Sequence, residues 1–170
     1  MTLTNSRDGE SRLYVSGAPP VALPETGRGG QDRPPWYETP YGAWRLSAER
    51  EAMRRFPGFT LLGLDVGAAY WTGWLRSSLH ADRWFFVKVA YPEAFPDYPP
   101  DVSIEWPTLP DGVPHLLTPG RPCLYMPSQG HRAGYEPGRT TAATLVAWTA
   151  LWINAFHAWQ ATGRWPGRSH

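Results

Sequence analysis

From Phe59 onward, large apolar and polar positions alternate with the period of two that a half-buried strand requires. On either side of that region they recur every three or four residues, as on one face of a helix. The strand-like region divides into residues 60–66, Tyr70–Arg76 and Trp84–Ala90, separated by Gly67-Ala68-Ala69 and by the polar run 77–82. Residues 102–106 supply a fourth strand. Four consecutive strands with short links predict an antiparallel meander. In the second of them Trp71, Gly73 and Leu75 alternate with Tyr70, Thr72 and Trp74, so either face carries enough apolar bulk to be covered.

Before the strands, Thr39-Pro40 offers a capping hydroxyl followed by a proline suited to a first helical turn. Tyr41, Trp44, Ala48, Ala52 and Phe56 then form one apolar face, which leaves Arg45, Glu49, Arg50 and Arg54 largely on a solvated one, and Pro57-Gly58 stops the helix. After the strands, Thr140 or Thr141 caps a second helix, in which Leu145, Trp148, Trp152, Phe156 and Trp159 make an aromatic stripe that reads as core. Its roughly 21 residues, at about 1.5 Å each, span about 30 Å, enough to cross a small domain. Gly163 is placed to end it. A meander with a helix at either end gives an α+β class with the helices packed on one face. Residues 1–37, rich in Gly, Pro, Ser and charge, are expected as a flexible tail, and residues 38–170 as one domain.

Composition narrows the partners. Among 170 residues, 16 basic and 15 acidic side chains leave a formal charge of +1 with no basic run, so nothing draws the chain to nucleic acid or to an anionic membrane. The longest apolar stretch, 142–156, is broken by Thr144, Thr149 and Asn154 and is too short to span a bilayer. One cysteine permits neither an internal disulfide nor a multi-cysteine zinc site, and the first residues lack a basic-then-apolar signal pattern, so a reducing cytoplasm is the expected setting. No cofactor and no metal is expected.

That cysteine, Cys123, lies near the end of residues 91–125, where prolines at 92, 96, 99, 100, 107, 110, 114, 119 and 122 leave only 102–106 free to pair as a strand. Cys123 is therefore expected to be held by backbone stiffness rather than by a helix or sheet. A lone cytoplasmic cysteine is commonly a small buried hydrophobe. Here Gly120 allows a tight turn, Pro122 stiffens the approach and the polar run 126–138 follows, a setting in which a thiolate attacks carbonyls and accepts an acyl group by thioester exchange. A cysteine hydrolase would need a base from His115, His131 or His157, and no protease signature surrounds any of them. Cys123, His115 and His131 lack the tight spacing of a metal site.

The order helix, meander, YP-x(5)-YPPDV-x-I-E-W-P, histidine, G-x-x-C-L and terminal helix resembles a ubiquitin-conjugating enzyme over roughly residues 38–165. Tyr91-Pro92, Tyr98-Pro99-Pro100 and the turn from Gly120 to Leu124 are the motifs that carry it. The resemblance implies that Cys123 carries an acyl group as a thioester and passes it to an amine. The eukaryotic His-Pro-Asn triplet is replaced by His115-Leu116-Leu117, so its asparagine is missing and the histidine stands closer to the cysteine. The pattern H-x(4)-G-x-x-C-L-Y and the closing W-x(2)-T-G-x-W-x-G are closer to bacterial proteins, most of all to the stand-alone conjugating-enzyme-like proteins of type II CBASS antiphage operons. That likeness implies a cGAS-like nucleotidyltransferase as partner, its C-terminus the acyl donor, and leaves open whether a separate activating enzyme is needed to charge it. His115 is then the second catalytic candidate after Cys123, and Tyr125, His131 or backbone amides after the cysteine are candidates to support the oxyanion. Retention of the cysteine favours an enzyme. Loss of the asparagine favours a non-catalytic module of the same fold that holds the nucleotidyltransferase.

Overall fold

The structure is a computed structural model that describes residues 34–124 and 134–166. Residues 1–33, most of the expected tail, lie outside the described residues, as do Tyr125 and His131. Helix α1 (Pro40–Met53) leads into strands β1 (Phe59–Leu62), β2 (Tyr70–Arg76), β3 (Trp84–Ala90) and β4 (Asp101–Trp106), and helix α2 (Ala142–Thr162) closes the order. The four strands form one antiparallel sheet in sequence order, with Trp71 opposite Val89 and Val89 opposite Val102. This is the expected α+β meander. Trp71, Leu75, Phe85, Val87, Val89, Val102 and Ile104 point to its buried face, where they meet Leu145, Val146, Trp152, Ile153 and Phe156 of α2 in one core. The opposite face is more open and carries an aromatic row, in which Trp74 lies 4.9 Å from Phe86 and 5.6 Å from Trp106.

Three expectations need correction. The first strand ends at Leu62 rather than residue 66, because Gly63 turns the chain at φ 77° and a one-turn 3-10 segment, Leu64–Val66, follows. A Cβ at Gly63 would stand 2.1 Å from the Ala68 carbonyl oxygen, so the turn closes only on a glycine.

The buried face of α1 is shifted by one residue from the expected one, although Ala52 and Phe56 still pack against the core. Its buried positions are Gly42, Arg45, Glu49 and Met53, whereas Tyr41 and Trp44 are 53% and 60% exposed. Arg45 and Glu49 are 2% and 0% exposed and pair at 2.9 Å. Distant groups supply most of the partners of these buried charges, although among the described residues Arg45 Nε has no hydrogen-bond partner and Glu49 Oε1 meets only the Arg45 guanidinium. Arg45 donates to the carbonyls of Gly138 and Thr140, both at 2.6 Å, and its guanidinium lies over the Phe95 ring. Glu49 accepts from the Ala142 amide at 2.7 Å, at the head of α2 where the helix dipole favours a carboxylate, and from the Tyr91 hydroxyl at 2.8 Å. The Trp71 indole in turn donates to Tyr91 at 2.9 Å. Burial pushes the Glu49 carboxyl up from its ordinary value, and the Ala142 amide, Tyr91 and Arg45 pull it back toward the ionised form.

The third correction concerns residues 91–125, which hold a second small sheet. β5 (Leu116–Thr118) pairs antiparallel with β6 (Arg121–Pro122) around Pro119-Gly120. Pro119 presets φ for the first corner of a turn and Gly120, at φ 75°, supplies the positive second corner. Gly120 also accepts from the Ile104 amide at 2.7 Å, which fastens the hairpin to β4.

Candidate active site

Cys123 follows β6 directly and is partly buried. Its amide donates to the His115 carbonyl at 2.8 Å, which extends the hairpin pairing by one step. Sheet-like pairing therefore holds the cysteine, and proline stiffness alone does not. Burial pushes the Cys123 thiol up from its ordinary value, so at neutral pH the sulfur is held mainly as the thiol.

His115 meets Cys123 through its main chain. Its φ is 57°, and it is the one non-glycine at positive φ among the described residues, a conformation that costs a residue with a Cβ about 1 to 2 kcal/mol. Its carbonyl receives two donors, the Cys123 amide and, at 3.0 Å, the Trp152 indole from the middle of α2. The His115 ring lies on Trp165, with centroids 4.9 Å apart and planes inclined by 33°. Trp165 reaches that position because Gly163, at φ 70°, ends α2 and turns the chain back, and its ring also stands 5.5 Å from Trp152. Of the residues singled out from sequence, Cys123 and His115 thus come together. His157 does not join them: it sits buried beside His80, Phe85 and Phe156. Tyr125 and His131 fall outside the described residues.

Trp152 and Trp165 escaped sequence reasoning as parts of this site. Trp152 read as core, and the signal for Trp165 was the T-G-x-W ending, in which the helix-stopping glycine sets an aromatic residue two positions later. Beside the hairpin, a hollow of about 330 Å³ is lined by Lys88, Asp101, Ser103, Glu105 and Arg121 with mixed charge. Among the described residues no group of three or more His, Cys, Asp or Glu is placed to hold a metal ion. No helix among them is long and apolar enough to cross a membrane.

A four-stranded meander with a long helix on one face, and a cysteine leaving a Pro-Gly hairpin beyond the fourth strand, define an α+β protein of the ubiquitin-conjugating-enzyme type. The family model for type II CBASS E2 proteins matches residues 49–170, which include the fold from mid-α1 to the C-terminus, and the chain belongs to that family. Comparison with curated proteins finds no match. Membership associates the chain with CBASS antiphage operons and with E2-like conjugation in general.

Proposed function

We propose that the protein is a thioester-forming acyltransferase in which Cys123 takes the C-terminal acyl group of a protein partner, a cGAS-like nucleotidyltransferase of the same operon, and passes it to an amine. The observation that carries the reading is the placement of the chain's one cysteine, fixed at the exit of the hairpin by the His115 carbonyl, within a type II CBASS E2 protein. A carboxylate does not condense with a thiol unaided, so the acyl group arrives as the thioester of a separate activating enzyme. In the first exchange the Cys123 Sγ–C bond forms and the donor's S–C bond breaks, the donor sulfur taking the proton that Cys123 gives up. In the second, an amine attacks, a C–N bond forms, and Cys123 leaves as the thiol after taking a proton from the amine. No redox change is involved.

The thiol held above its ordinary value supports a sulfur that is quiet until an activated acyl group is delivered. Incubation with the operon's nucleotidyltransferase, activating enzyme and ATP is expected to give an adduct on a non-reducing gel that dithiothreitol removes. Cys123→Ala should give none and Cys123→Ser a thiol-resistant ester. An adduct undiminished in Cys123→Ala would overturn the assignment. The His-Leu-Leu sequence in place of a triplet ending in asparagine favours a second reading, a module that holds the nucleotidyltransferase without chemistry. That reading predicts a complex by gel filtration, unaffected by Cys123→Ala, and no adduct in the wild type.

A further inference from the structure

We infer that His115 serves Cys123 through its main chain, and that Trp165 and Trp152 are the positioning residues that keep it there. Three observations converge. The His115 carbonyl is shared between the Cys123 amide at 2.8 Å and the Trp152 indole at 3.0 Å, so one oxygen ties the cysteine turn to the middle of α2. The residue that presents this oxygen has φ 57°, which a glycine or an asparagine adopts more readily than a histidine does. Such a conformation persists where neighbours over-determine it, and here the neighbour is Trp165, stacked on the imidazole at 4.9 Å and itself 5.5 Å from Trp152. The imidazole is thus a handle by which the C-terminal segment holds the backbone, and the chain's tryptophan-rich ending becomes part of the site.

The consequence for acyl transfer rests on the thioester reading above, but the test does not. Full-length protein is treated with iodoacetamide from neutral to alkaline pH, and the rate of Cys123 alkylation is followed by mass spectrometry for the wild type, His115→Gly, His115→Asn, His115→Val, Trp165→Phe and Trp165→Ala. Thioester yield is measured in parallel. Gly and Asn accept the left-handed region, so those variants should alkylate within about threefold of wild type, with the same pH profile. Val at 115 and Ala at 165 release the turn, and a thiol that loses its burial should react about tenfold faster at neutral pH, its profile moved to lower pH. Thioester yield should fall in these two. Phe at 165 keeps a stacking ring and should restore most of the wild-type profile.

If His115→Gly and His115→Asn shift the profile as far as His115→Val, the imidazole itself sets the thiol's reactivity and the inference is wrong. The same holds if Trp165→Ala leaves the profile unmoved. Should His115→Val fail to fold, the Trp165→Phe and Trp165→Ala pair decides alone. A wild type that forms no thioester would defeat the acyltransferase reading, yet the alkylation profiles would still decide the roles of His115 and Trp165.

Discussion

Two places in this molecule fix the backbone with shared polar contacts, and they do so by opposite means. At the head of α2, charged side chains hold the main chain: Glu49 takes the Ala142 amide, and Arg45 takes the Gly138 and Thr140 carbonyls. At the Cys123 turn the main chain holds itself, since the His115 carbonyl binds the Cys123 amide and the side chains around it are aromatic props. The first arrangement depends on the identity of two ionised groups, and the removal of either strands the other. The second depends on a backbone conformation that more than one residue type can adopt. A region of the first kind carries stability. One of the second kind leaves residue identities free to change while the geometry at the sulfur is kept.

The largest effect is expected where the charges are. Glu49→Ala leaves a buried guanidinium unpaired, together with the Ala142 amide and the Tyr91 hydroxyl, and should cost about 3 to 5 kcal/mol in denaturant unfolding. The double variant Arg45→Met, Glu49→Leu removes both charges and should recover most of that loss, as buried pairs replaced by apolar groups of similar size often do. A double variant as unstable as the single one would show that the contacts to Gly138, Thr140 and Ala142, and not the unpaired charge, dominate. The comparison between the two regions would then weaken.

Next is the hairpin that leads to Cys123. Gly120→Ala places a Cβ at φ 75° and 3.2 Å from the Ile104 carbonyl oxygen, and should cost about 1 to 2 kcal/mol. Because Gly120 fastens the hairpin to β4, the same variant should also change the rate of Cys123 alkylation, whereas Glu49→Ala, assayed where it is still folded, should leave that rate close to wild type. If both variants moved the thiol equally, the two regions would be one cooperative unit. A smaller change still, Tyr91→Phe, removes the hydroxyl that joins the Trp71 indole to Glu49 and keeps the ring. It should cost about 1 to 2 kcal/mol, since one buried donor and one acceptor lose a partner each.

The same contrast decides what could be read from the chain. β2 and β3 fall on the residues the alternation marks, because a strand's faces are set by its own period of two. In α1 the apolar positions 41, 44, 48, 52 and 56 mark a coherent face, yet the buried one runs one residue later, through 42, 45, 49 and 53. What buries Arg45 and Glu49 are groups 93 to 95 residues further along, and no local pattern records them. The Cys123 turn was legible in part. Gly120, Pro122 and Cys123 announce a turn, but the strand pairing of Leu116 with Pro122 is hidden by the prolines around it. The left-handed His115 is hidden as well, since a histidine does not advertise a conformation that a glycine would.

The smallest effect concerns α2, the element both regions share. His157 is buried on its flank, its ring 4.6 Å from His80 on the β2–β3 turn, which also docks through the Ser78 amide on the Asn154 side chain at 3.3 Å. Burial holds the His157 imidazole below its ordinary value, with His80 and Arg83 adding to the effect and Gln160 and Asp82 opposing it. The sign follows from proton uptake. The unfolded chain protonates this histidine near pH about 6.5, before the folded protein does, so the group's contribution to stability is whole above that pH. It declines as the pH falls through that value and levels off once the folded imidazole is protonated too. Urea midpoints measured between neutral and mildly acidic pH should show this decline, and His157→Asn should flatten it. Since the ring contacts of His157 are to His80, Phe85 and Phe156, and the bond to the His115 carbonyl is made by Trp152, acidification should lower stability while the ratio of alkylation rates between Trp165→Ala and wild type stays constant. A ratio that changed with His157 protonation would mean that α2 transmits between its flank and the cysteine turn, and the two ways of holding backbone would no longer be separable.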